Sequence, residues 1–159
     1  MRKTKWLFIV ILILLIVYLG GPRPSEPDYA PDMPQVPVDA RLLEQYVVNG
    51  EARHKLKPDN EARIIWANDS TKNRTGYSMV YLHGFSASQA EGEPVHRDIA
   101  RRFNCNLYLS RLAEHGMDTS DAMINLTVDK YYESAKEALA IGKQLGDTVI
   151  LIGCSTGGS

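Results

Sequence analysis

A chain of 159 residues has room for about one domain. Its 18 Lys and Arg balance 19 Asp and Glu, and a formal net charge of -1 gives no electrostatic basis for a nucleic-acid partner. A hydrophobic content of 44% with 23% charged residues excludes wholesale disorder, and two cysteines exclude a disulfide scaffold or a four-cysteine zinc site.

Arg2, Lys3 and Lys5 precede an unbroken apolar run from Trp6 to Leu19 that stops at Gly20-Gly21-Pro22. This is the pattern of a targeting or anchoring segment. The fourteen residues of the run, at about 1.5 Å each, make roughly 21 Å of helix against a hydrocarbon core of roughly 30 Å, which keeps a cleaved signal peptide open as an alternative. The cleavage chemistry is poor, because no small-x-small triplet closes the run, Pro22 follows the best junction, and no Cys offers a lipoprotein site. The expectation is an uncleaved signal anchor or single transmembrane helix over residues 1–21. Basic residues ahead of the run put the amino terminus in the cytoplasm and the rest of the chain on the outer, periplasmic or extracellular, side, with secretion after cleavage as the alternative. Six of the eight prolines lie between Pro22 and Pro37, which predicts an extended linker over 22–41 and leaves 42–159 for the folded domain.

Within that domain, Leu42 to Val48 fits helix or strand, and Arg63 to Ala67 reads as a strand. Tyr77 to Leu82 reads as a buried strand that stops at His83-Gly84. Pro94 suits a first helical position, with Val95, Ile99, Ala100 and Phe103 at helical spacing. Cys105 to Leu109 is again a strand. A longer helix follows, capped by Thr127, with Val128, Tyr131, Tyr132, Ala135, Ala138, Leu139 and Leu145 on one face. The last strand, Thr148 to Ile152, runs into Gly153-Cys154-Ser155-Thr156-Gly157-Gly158. Strand, helix, strand, helix, strand with short connections predicts an α/β fold with a mainly parallel sheet and helices on both faces. In such sheets the ligand crevice lies at the carboxyl ends of the strands, where His83-Gly84 and Ser155 both fall.

Gly153-Cys154-Ser155-Thr156-Gly157 fits G-x-S-x-G, in which the serine sits on a strained strand-to-helix turn with its Oγ exposed above the sheet. Gly153 and Gly157 keep that turn free of side-chain clash. A Gly-rich phosphate loop is the rival, but no Lys follows in the Walker spacing and there is no G-x-G-x-x-G. Ser155 is therefore the candidate nucleophile. The oxyanion formed by its attack on a carbonyl needs two N–H donors. Thr156 offers one, and Phe85, on the loop opened by His83 and Gly84, offers the second.

The stretch from Tyr77 to Ser159 resembles the α/β-hydrolase superfamily, in particular its carboxylesterase and monoacylglycerol-lipase-like branch. The residues that carry the likeness are Tyr81-Leu82-His83-Gly84-Phe85-Ser86, Glu114-His115-Gly116-Met117-Asp118 and Gly153 to Gly158. Where that family more commonly has Gly-His-Gly, Glu114 precedes His115 here. The resemblance implies the amino-terminal part of a hydrolase fold and a serine hydrolase cleaving carboxylic esters, acyl lipids among them, through an acyl-enzyme at Ser155. It implies no cofactor and no metal. The expected partners are a small-molecule or lipid ester and, through the N-terminal helix, the membrane. The family's acid and histidine follow the serine, whereas the chain ends four residues after Ser155. His54, His83, His96 and His115 all precede it and are expected in structural or surface roles. Turnover by this chain alone is therefore not expected, and its exposed sheet edge invites misfolding. The alternative is a non-catalytic, membrane-tethered hydrolase-like binding protein or an inactive fragment.

Cys105 and Cys154 are expected as free buried thiols, since the resemblance puts another strand between theirs. Sequons at Asn68, Asn73 and Asn125 matter only in a glycosylating pathway. Glu91, Glu93 and Asp98 read as a solvated loop and helix start. No metal-ligand spacing is present.

Overall fold

The computed structural model describes residues 2–21, 23 and 26–159, with side chains from Lys5 onward. Pro22 and Pro24, two of the six prolines of the linker, and the side chains of Arg2 and Lys3 lie outside the described residues. The domain is a small α/β unit. In chain order it has α1 (Arg2–Gly20), α2 (Ala40–Glu51), β1 (Arg63–Ile65), β2 (Thr75–Leu82), a 3-10 turn (Gln89–Gly92), α3 (Val95–Arg102), β3 (Asn106–Leu109), α4 (Val128–Leu145), β4 (Gly146–Gly153) and a final 3-10 turn (Ser155–Gly158).

The expected membrane-spanning anchor is corrected. Residues Trp6 to Leu19 are helical and exposed, yet among the described residues no helix is long and apolar enough to cross a membrane. The physical reason is length, since the run supplies only about two-thirds of the hydrocarbon thickness. From Glu26 onward the proline-rich stretch is extended and packs on α4. Asp28 N–H donates to Asp129 at 2.6 Å, the Tyr29 ring meets Tyr132 edge-on at 5.0 Å, and Lys136 donates to Ala30 O at 2.8 Å.

The sheet is mixed, in the order β1-β3-β2-β4, with β1 antiparallel to β3 and β2 parallel to both β3 and β4. The chain steps outward from β2 through α3 to β3, then returns past β2 through α4 to β4. Crossovers of one hand running in opposite directions put their helices on opposite faces, and the core divides accordingly. On one face Val80 and Tyr108 pack with Leu43 and Val47 of α2 and with Ala138, Ile141 and Leu145 of α4. On the other, Met79, Tyr81, Leu107 and Leu109 pack with Ala100 and Cys105. The carboxyl ends of β2 and β4 flank the point where the chain reverses direction, which is where a crevice opens in such sheets.

Local chemistry sets the element ends. Asp39 caps α2 by accepting from Arg41 N and Leu42 N, which settles Leu42 to Val48 as helix. Thr127 caps α4 by accepting from Lys130 N. That helix ends at Leu145 and β4 begins at Gly146, with no residue between them. Its last carbonyls are therefore met by side chains. Arg74 donates to Lys143 O, Gln144 O and Gly146 O, Ser78 Oγ to Gly142 O, and Asn106 to Leu145 O.

Two further expectations change, the buried faces of α3 and α4. Pro94 stands at the N-cap of α3 rather than inside it, and α3 buries His96 and Ala100 while Val95 and Phe103 are exposed. On α4 the buried stripe runs through Ala138, Ile141, Gly142 and Leu145, and Val128 is exposed. Gly142 decides this phase, because a Cβ there would lie 2.4 Å from Val80 Cγ2 and so the helix seats its bare backbone against β2. Among the described residues strand β4 pairs only with β2, and Ile150 and Leu151 are exposed along with that free edge, as expected.

Candidate functional site

One residue beyond the end of β4 at Gly153, with Cys154 as its N-cap, Ser155 opens the final 3-10 turn with a left-handed φ of +49°. A β-carbon disfavours that region, so the conformation holds only where the surroundings over-determine it. They do so through close backbone approach. A Cβ on Gly153 would sit 2.3 Å from Gly157 O, and one on Gly157 would sit 2.2 Å from Leu82 O and 2.6 Å from His83 O. Cys154 N–H donates to Leu82 O at 3.0 Å, and Gly157 N–H to Cys154 O at 2.8 Å. The two glycines of G-x-S-x-G thus let the serine turn close on itself and lie flush against the end of β2.

That end of β2 carries His83, Gly84 and Phe85. The His83 side chain is fully buried, its Nε2 accepts from Leu112 N–H at 3.0 Å, and its Nδ1 lies 2.9 Å from Gly84 O. An Nε2 that accepts leaves the proton on Nδ1, so the imidazole is a neutral strut from Gly84 O to the loop after β3. Burial pushes its pKa below the ordinary value. In a trans peptide the C=O and the next N–H point in opposite directions, so holding Gly84 O also aims the Phe85 N–H. Ala87 N–H donates to the same oxygen at 3.2 Å, across a turn in which Ser86 has φ +59°. Among the described residues no hydrogen bond consumes the Phe85 or Thr156 N–H.

None of the four histidines is hydrogen-bonded to Ser155 among the described residues. His96 points Nε2 at Gln89 O and stacks edge-on against Tyr81. His115 points Nδ1 at Ala113 O, and its ring meets His83 at 4.9 Å and Phe85 at 6.0 Å. His54 instead lines a cavity of about 640 Å³ between α2 and α4, away from Ser155.

Reading the sequence alone missed Glu91. Its carboxylate accepts from Gly84 N–H at 2.7 Å and from Tyr81 Oη at 3.3 Å. The Gly84 amide is the main influence holding this carboxyl below the ordinary range. Nothing in the local pattern separates it from Glu93, which pairs with Arg97. Both cysteines are free, Cys105 buried and Cys154 only half-buried, with β2 between their strands. Burial, then the Glu91 carboxylate, push the Cys154 thiol up.

No protein-family model matches the chain, and no curated protein matches it.

Proposed function

We propose that this chain carries the nucleophile half of a serine hydrolase that cleaves carboxylic esters, acyl lipids among them. The observation that carries the reading is the backbone of Ser155, a non-glycine residue at φ +49° on a turn pressed against the loop of His83, Gly84 and Phe85. Its resemblance to the α/β-hydrolase superfamily points the same way. In this reading Ser155 Oγ attacks the ester carbonyl and an acyl-enzyme forms as the alcohol leaves. The Phe85 and Thr156 N–H groups hold the oxyanion, while His83, Gly84, Gly153 and Gly157 shape the two loops. The Oγ proton needs an acceptor that His54, His83, His96 and His115 do not provide. Turnover therefore belongs to a polypeptide that also brings an acid and a histidine to Ser155.

The same observation about the histidines favours a second reading, a non-catalytic hydrolase-like binding protein. Labelling the longest polypeptide of this reading frame with a fluorophosphonate, beside Ser155→Ala, separates the two. Labelling that disappears in the variant supports the hydrolase. Folded protein that does not label supports the binding protein.

A further inference from the structure

We propose that Glu91 is a positioning residue for ester hydrolysis, its carboxylate clamping Gly84 so that the neighbouring Phe85 N–H stays aimed at the oxyanion. The inference rests on the hydrolase reading above and extends it to a residue outside the serine turn and the His83-Gly84 dipeptide.

Gly84 is the weak point of the oxyanion segment, because a residue without Cβ holds no conformation by itself. Three groups hold it, two at its C=O and one at its N–H. Its C=O accepts from His83 and from Ala87 N–H, and its N–H donates to Glu91 Oε2 at 2.7 Å. With both flanking peptide planes fixed, the direction of the Phe85 N–H follows. The carboxylate approaches so closely that a Cβ on Gly84 would lie 3.0 Å from Oε1 and 3.2 Å from Oε2. Glycine thus leaves room for the carboxylate at the position that most needs an external constraint.

Glu91 is itself held. It sits in the Gln89–Gly92 turn, which Ser88 caps through Ala90 N–H, and Glu91 N–H donates to Ser88 O at 3.1 Å. Gly92 presses this turn onto the sheet, since a Cβ there would meet His96 Cδ2 at 2.4 Å and Tyr81 Cζ at 2.7 Å. The groups facing the carboxylate are the Tyr81 hydroxyl of β2, the Cys154 thiol of the serine turn and, through space, the His83 imidazole. Pre-aimed donors stabilise a developing oxyanion because no reorganisation is needed at the moment of attack, and a misaimed donor is lost to that purpose.

The test uses the full-length polypeptide of this reading frame, with p-nitrophenyl butyrate as substrate and Glu91→Ala, Glu91→Gln and Ser155→Ala as variants. Glu91→Ala should lower kcat by about 10- to 100-fold with KM within about twofold, less than the roughly 10²- to 10³-fold lost with an oxyanion donor itself. Glu91→Gln, whose amide oxygen accepts the same bond, should stay within about threefold of wild type. The Gly84 amide proton should shift as pH falls through the depressed Glu91 pKa and stay still over that range in Glu91→Gln.

If Glu91→Ala keeps wild-type kcat while Ser155→Ala is inactive, the positioning role is overturned and the hydrolase reading stands. If the Gly84 amide titrates identically in wild type and Glu91→Gln, the clamp itself is overturned. If no turnover depends on Ser155, the hydrolase reading and the role of Glu91 both fall, and a Glu91-dependent Gly84 titration then marks the contact as structural only. Should Glu91→Ala not fold, Glu91→Leu, close to glutamate in size and unable to accept from Gly84 N–H, takes its place, with the same fall in kcat expected and wild-type kcat overturning the role.

Discussion

Replacing Gly157 by Ala tests the apposition of the serine turn and the end of β2 most directly. The added methyl would lie 2.2 Å from Leu82 O and 2.6 Å from His83 O, both backbone atoms at the carboxyl end of β2. Reaching even a tight contact requires the two loops to separate by about 1 Å, because neither oxygen belongs to a side chain that can swing away. Overpacking of this kind costs roughly 1–3 kcal/mol. For a domain of about this size that is a fall in Tm of roughly 3–6 °C per kcal/mol. On the proposed hydrolase reading, a displacement of about 1 Å between Ser155 Oγ and the Phe85 N–H should also slow fluorophosphonate labelling of Ser155 by about 100-fold in the full-length polypeptide. Gly158→Ala is the matched control one residue on. Its nearest neighbour, Gly153 O, is 3.4 Å away, in ordinary contact, so it should change Tm by less than about 2 °C. Thermal unfolding followed by circular dichroism, together with the labelling rate, reads both effects. Equal Tm and equal labelling for Gly157→Ala and Gly158→Ala would refute the apposition.

Four further outcomes follow from the packing. Leu107→Ala, at a fully buried position of β3, should cost about 3–5 kcal/mol in urea unfolding, whereas Val95→Ala, on the exposed side of α3, should cost under about 0.5 kcal/mol. Comparable losses would return α3 to the face expected from spacing alone. Arg111→Met should cost about 3 kcal/mol, because it takes the cation from Glu51, which pairs with Arg111 through two bonds of 2.7 and 2.9 Å at side-chain exposures of 14% and 9%; the double variant with Glu51→Gln, which keeps an acceptor for Ala62 N–H, should recover much of that loss. Thr127→Ala should cost about 1 kcal/mol by removing the α4 cap, and Thr127→Asn should not. For His83 the folded-state pKa is depressed, so the unfolded chain binds the extra proton. Its contribution is complete above the unfolded value of about 6.5 and is lost as pH falls toward the folded pKa. Urea midpoints from pH 7.5 to 5 should decline in wild type with a slope that His83→Gln reduces.

The features legible in the sequence were those with a short-range cause. Thr127 before an acidic first turn marks a helix start whatever surrounds it, and Gly153 and Gly157 announce a tight serine turn because glycine is the residue that such backbone crowding tolerates. The features that escaped depend on what lies across the fold. The buried phase of α4 is set by Gly142 meeting Val80, some sixty positions earlier in the chain, so Val128 looked as apolar as any core residue and turned out exposed. Tyr29 and Ala30 read as spacer because proline content speaks for local extension and says nothing of the tyrosine and lysine on α4 that receive them. Glu91 reads as solvated by composition and acquires its partner only when the turn after β2 folds back over Gly84. The apolar run at the amino terminus was legible as helix. Its inadequacy as a span lay in a length already countable from the residues.

The junction at Leu145 and Gly146 makes α4 and β4 a single mechanical lever. A helix that hands over to a strand across one peptide bond has no slack to absorb an inserted or deleted residue. One extra residue there must be taken up either by turning α4 about 100° on its axis or by moving β4 one place along β2, which would invert the strand and carry the serine turn to the opposite face of the sheet. Elsewhere in the domain, length can vary in the connections. Here the phase of the helix, the register of the strand and the side on which Ser155 emerges are one quantity, fixed together by the bare backbone of Gly146, where a Cβ would lie 2.5 Å from Ser78 N.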